Sequence, residues 1–130
     1  MEKKILFVDD EKDILEMLEC LFLAEGYLPR CTISGNEGLE ILKKENVHVA
    51  FVDLRMPEMN GIELCRQIKQ QDPSAYVYAL SAYVGAITPE QYDEAGFTGY
   101  FRKPFDANEI VDAARDAFRK LGESEEQDKV

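Results

Sequence analysis

Val49-Ala-Phe-Val-Asp53 runs through four apolar residues without alternation and ends on a carboxylate. A strand with one face in water alternates apolar and polar residues; this run does not, which predicts a central strand with helices over both faces. Ile5-Leu-Phe-Val8, followed by Asp9-Asp10, has the same form. Working outward, β-rich runs are expected at Lys4 to Val8, Leu28 to Thr32, His48 to Asp53, Tyr76 to Leu80 and Thr98 to Phe101. The stretches between them are long enough for helices. Ile14, Leu15, Leu18, Leu21 and Phe22 share one helix face, as do Ile110, Ala114, Ala117, Phe118 and Leu121. Helix starts are marked by Ser34 with Glu37, Thr88 with Pro89 and Gln91, and Asp106 with Glu109; Gly26 and Gly96 suit helix ends. Five strand-helix pairs joined by right-handed crossovers predict an α/β fold, an open doubly wound parallel sheet.

With 130 residues, 45% apolar and 32% charged, the chain falls in the size and composition range of one soluble domain. The apolar runs are too short to cross a bilayer and Met1-Glu-Lys-Lys4 does not open a signal peptide, so the expected compartment is the cytoplasm, without membrane attachment. Cys20, Cys31 and Cys65 lack metal-ligand spacing and are expected as reduced core or near-core thiols. A net charge of −11 argues against nucleic acid as a direct partner, which would require clustered Lys and Arg. The expected domain covers 1–121, and 122–130, acidic and without apolar periodicity, is expected as a disordered tail.

In a doubly wound sheet the ligand site lies beyond the carboxyl ends of the strands, where strand order reverses. That rule selects Asp9 and Asp10 after the first strand, Asp53 at the end of the third, Ser81 after the fourth, and Lys103-Pro104 after the fifth. Two carboxylates about 4 Å apart repel by roughly 4 kcal/mol at the dielectric usual near a protein surface, so three together call for a cation. An all-oxygen set suits a hard ion such as Mg²⁺ or Mn²⁺; zinc is disfavoured, since His48 is the only histidine. Lys103 and the Ser81 hydroxyl could then hold phosphoryl oxygens, leaving Asp53 as the nucleophile of an acyl-phosphate chemistry.

These motifs, Asp9-Asp10, Asp53-Leu-Arg-Met-Pro57 with Gly61, Leu80-Ser-Ala82 and Tyr100-Phe-Arg-Lys-Pro-Phe105, stand in the order in which they occur in a known family. From about residue 3 to 121 the chain resembles the receiver domain of two-component response regulators, the chemotaxis response regulator among them. The resemblance implies a flavodoxin-like five-stranded sheet of order 2-1-3-4-5 and phosphorylation of Asp53 by a sensor histidine kinase or a histidine phosphotransfer protein. Mg²⁺ (or Mn²⁺) would be held by Asp10, Asp53 and the backbone carbonyl of Arg55, with Asp9 acting mainly through water, and Lys103-Pro104 would be cis. It further implies a switch in which Ser81 moves toward the phosphoryl group and Tyr100 turns inward. The face of the fourth helix, fifth strand and fifth helix would change in response, acting on a downstream protein partner or an output domain. Pairing of two copies through that face is compatible with such domains. Arg55 and Tyr83 should rim the phosphoryl group and slow its loss to water.

Taken singly, each residue has a plainer reading: Asp9 and Asp10 can favour a helix N-terminus, Asp53 can be a turn residue, and Lys103 and Ser81 can be surface and loop groups. Tyr100 can be strand packing and His48 a structural residue. Three other functions share parts of the pattern. A metal-dependent phosphatase would show an Asp-x-Asp after the first strand, where this chain has Asp9-Asp10-Glu11. A flavin carrier would need N–H donors in a first loop that here is acidic. A binding module that has lost phosphorylation would lack one of the site residues, and none is missing.

Overall fold

The computed structural model describes residues 2–56, 58–82 and 87–128. In chain order it contains β1 (Lys4–Val8), α1 (Lys12–Ala24), β2 (Leu28–Thr32), α2 (Gly35–Glu45), β3 (Val49–Asp53), α3 (Gly61–Gln71), β4 (Tyr76–Ser81), α4 (Pro89–Ala95), β5 (Gly99–Arg102) and α5 (Ala107–Asp128). All neighbouring strands are parallel and the order is β2-β1-β3-β4-β5, the doubly wound sheet predicted above.

The two unalternated runs make the centre because each sends successive side chains to opposite faces, both covered. Ile5, Phe7, Val49, Phe51, Tyr78 and Leu80 pack with Leu15, Leu18 and Phe22 of α1 and Ile110, Ala114 and Ala117 of α5. Leu6, Val8, Ala50, Val52, Val77 and Ala79 pack with Leu39 and Leu42 of α2, Leu64, Cys65 and Ile68 of α3, and Tyr92 and Ala95 of α4. Phe7, Phe51 and Tyr78 form an aromatic row across the first face, with centroids 5.5 and 4.7 Å apart.

Local signals set the helix ends. The Ser34 and Thr88 side chains accept from the backbone N–H of Glu37 and Gln91, and Gln91 closes the box by accepting from Thr88 N. Gly26 and Gly96 have φ of +87° and +97°, the left-handed region that glycine enters without penalty. Asn60 caps α3 by accepting from Glu63 N at 2.9 Å, a cap the sequence reading missed. At α5 the Asp106 carboxylate accepts from Asn108 N, while Glu109 N bonds the Asp106 carbonyl.

Two expectations are corrected. Of the stretch 122–130, expected as a disordered tail, the part up to Asp128 belongs to helix α5: Glu and Gln are good helix formers, and extending an existing helix incurs no nucleation cost. Cys20 is exposed, since it lies off the α1 face made by Leu15, Leu18 and Phe22, whereas Cys31 is half-buried and Cys65 buried. All three thiols are free. The edge strand β2 carries Pro29 as its second residue; Leu28 N bonds toward β1, to Lys3 O, so by alternation the N–H that Pro29 lacks would have faced the open edge.

Candidate functional site

The carboxyl ends of β1, β3, β4 and β5 bring the predicted groups to one place. Asp9 continues the β1 ladder by one bond, its N–H donating to Thr32 O at 3.1 Å, and this keeps it fully buried. Its Oδ1 accepts from Glu11 N at 2.9 Å. Its Oδ2 is a buried oxygen without an aligned hydrogen bond, facing the Lys103 ammonium at 2.8 Å. Asp10, one step further, turns outward and is exposed.

Asp53 ends β3, paired in register with Leu80 of β4, and is 6% exposed. Its Oδ1 accepts from Arg55 N at 3.2 Å and its Oδ2 lies 3.5 Å from Lys103 Nζ. Burial pushes the Asp53 carboxyl up to about 6; the Arg55 N–H works against this, the Asp9 charge adds to it, and Lys103 offsets only part. One further constraint fixes its backbone. Gly61 N donates to Leu54 O at 3.0 Å, and a Cβ on Gly61 would lie 2.5 Å from Asp53 O. No side chain fits there.

Lys103 arrives from β5. Its N–H donates to Ser81 O at 2.7 Å and its peptide bond to Pro104 is cis, as the resemblance implied. The ammonium is largely buried and also lies 3.5 Å from Glu11 Oε2. Burial pulls its pKa down, but the nearby carboxylates of Asp9, then Asp53 and Glu11, outweigh this and raise it. Ser81 ends β4 with its side chain buried.

Asp9, Asp10 and Asp53 each offer an oxygen within 4.8 Å of the others. Among the described residues the Lys103 ammonium faces three carboxylates, Asp9, Asp53 and Glu11, with Asp10 beside them, so acidic groups predominate in the cluster. Its donors are all oxygen, so the residues present fit a hard divalent cation. Beside it opens a cleft of about 330 Å³ lined by Asp10, Leu54, Arg55, Met56 and Asn60, room for a phosphoryl donor to approach.

Tyr100 is not in this cluster. It is 53% exposed on the α4 side of β5 and stacks on Tyr92. Pro57 and Tyr83, the latter expected at the rim, lie outside the described residues. His48 begins at the opposite end of β3 from Asp53, its Nδ1 2.6 Å from Asp72 Oδ2, in keeping with a structural role. The sequence reading did not single out Glu11, Asn60 or Tyr92; Asn60 was legible as an Asn three residues before Glu63, whereas Glu11 meets Lys103 across 92 residues of chain.

A family model described as the response regulator receiver domain matches residues 5–115. The chain is 35% identical over 115 residues to sporulation initiation phosphotransferase F of Bacillus subtilis (strain 168), covering 88% of this chain and 93% of that protein. It is 31% identical over 107 residues to regulatory protein AtoC of Escherichia coli (strain K12), covering 82% of this chain but 23% of that protein. Among solved structures, a CheY-like response regulator receiver domain protein from Methanospirillum hungatei JF-1 superposes with a TM-score of 0.86 at 26% identity, over 98% of this chain and 99% of that one. On the sheet order, the site at its carboxyl edge and these matches together, the chain belongs to the receiver domain family of response regulators.

Proposed function

We propose that the chain is a phosphorylation switch: Asp53 takes a phosphoryl group from a phosphohistidine of a sensor histidine kinase or a histidine phosphotransfer protein in the cytoplasm. The observation that carries this is a nearly buried carboxylate at the end of β3, held between Asp9, Asp10 and the Lys103 ammonium, beside an open cleft. The transfer named in the Bacillus relative supports it.

The P–N bond of the donor breaks as an Asp53 oxygen bonds to phosphorus, giving an acyl phosphate and freeing the donor imidazole. Arg55 N and Lys103 fix the carboxylate for that approach. Asp10, Asp53 and the Arg55 carbonyl, with Asp9 acting mainly through water, would hold Mg²⁺ or Mn²⁺, which would supply charge neutralisation on the transferred group. Lys103 then holds one phosphoryl oxygen and the Ser81 hydroxyl donates to another. Because Ser81 O accepts from Lys103 N, a shift of Ser81 toward the phosphoryl group is felt in β5. That couples the site to Tyr100 and to the α4-β5-α5 surface, which meets a downstream partner, an output domain or a second copy.

The test is intact mass after incubation with acetyl phosphate, for wild type and Asp53→Ala, with Mg²⁺ or with chelator. One added phosphoryl group that requires both Asp53 and the metal is the expected result. A folded wild type that gains none, under conditions in which an acyl phosphate survives, would leave a binding module instead.

A further inference from the structure

We infer that Tyr92 is a positioning residue that latches Tyr100 in its outward orientation and so sets how often the chain visits the switched form; this rests on the switch role proposed for Tyr100. The two rings lie nearly flat on each other, with centroids 4.3 Å apart and planes 9° apart. Their settings differ. Tyr92 is 7% exposed and is packed edge-on against Phe97 at 5.7 Å. Its backbone N–H donates to Thr88 O in the capped first turn of α4. Tyr100 stands on a four-residue edge strand and is 53% exposed. One ring is anchored by the core and the other leans on it.

Tyr100 cannot turn inward and keep that stack. Aromatic pairs of this geometry contribute enough to bias an orientation equilibrium roughly two- to tenfold. The stack therefore opposes the inward form, and phosphorylation has to overcome it through contacts made only in that form. Removing the ring at 92 raises the inward population before any phosphoryl group is present.

The experiment uses the full chain carrying 3-fluorotyrosine, with the Tyr100 fluorine signal assigned through Tyr100→Phe. Beryllofluoride with Mg²⁺ serves as the phosphoryl mimic. Tyr92→Leu and Tyr92→Met both fill the site without a ring, so the test survives if one of them fails to fold; Tyr92→Phe keeps the ring. The expected result is that the ringless variants, without beryllofluoride, move the Tyr100 signal toward its beryllofluoride position and speed acetyl phosphate labelling of Asp53 two- to tenfold. Tyr92→Phe should match wild type in both. A Tyr100 signal unmoved in a folded ringless variant overturns the latch while leaving the switch reading intact. If beryllofluoride fails to move the signal in wild type although Asp53 is labelled, the switch role of Tyr100 fails and the latch falls with it.

Discussion

Asp9 and Asp53 are carboxylates held almost out of water with a single ammonium between them, an arrangement that favours ligand over stability. Without metal, the Asp53 charge is disfavoured by burial and by Asp9. Asp53→Asn is accordingly expected to stabilise the metal-free protein by on the order of 1–2 kcal/mol, about 3–8 °C in Tm. Added Mg²⁺ should raise the Tm of wild type more than that of the variant; melts in chelator and in Mg²⁺ that moved both proteins equally would refute the metal assignment. Arg55→Ala, at the cleft, and Tyr83→Ala are expected to shorten the lifetime of the phosphorylated form, followed as loss of added mass with time. Residue identities were legible at this scale because strand ends are readable and the ligand edge follows from them. What was not legible is that Asp9 is buried while Asp10 is exposed. That depends on one ladder bond from Asp9 N to Thr32 O, which adjacent letters do not record.

Elements are held by contacts as local as the ones that place these residues. Gly61, the first residue of α3, sits where any Cβ would strike the backbone that carries Asp53. Gly61→Ala should destabilise by roughly 1–3 kcal/mol and slow phosphorylation as well. Gly122→Ala, in open space late in α5, should be neutral or slightly stabilising, by up to about 1 kcal/mol. Urea melts compare the two. The turn from α3 to β4 is stapled by Asp72, which accepts from Ser74 N and Oγ and pairs with His48. Burial raises the Asp72 pKa, but the Ser74 bonds and His48 outweigh it, so the folded-state value is lowered. A carboxyl with a lowered folded pKa adds stability above its unfolded pKa, near 4, and loses it as pH falls through the lowered value. Asp72→Ala should therefore cost about 1–2 kcal/mol at pH 6, and urea melts should show that cost shrinking below pH 4; a constant cost would show that the carboxylate charge plays no part. Element type was readable from apolar spacing and caps, whereas the end of α5 was not. Periodicity reports burial, and a helix can outrun the face that buries it.

For the molecule as a whole, the two unalternated runs carried the fold: a strand apolar on both faces forces helices onto both sides, and five such units leave few arrangements. The strand order and the switch surface were not in that logic and came from the resemblance, because nothing in residue spacing says which strand lies beside which. The stacked tyrosines escaped for a related reason, Tyr92 and Tyr100 meeting only once α4 lies against β5. Pro29 acts at this scale too. An incoming strand seeking to extend the sheet beyond β2 would find a donor missing near the start of the ladder, a barrier to cross-β growth and to the aggregation that open edges invite. Pro29→Val should restore that donor and leave the monomer folded yet prone to thioflavin-positive assemblies on prolonged warming, while wild type stays dispersed. The sheet thus keeps its β2 flank closed to copies of its own kind.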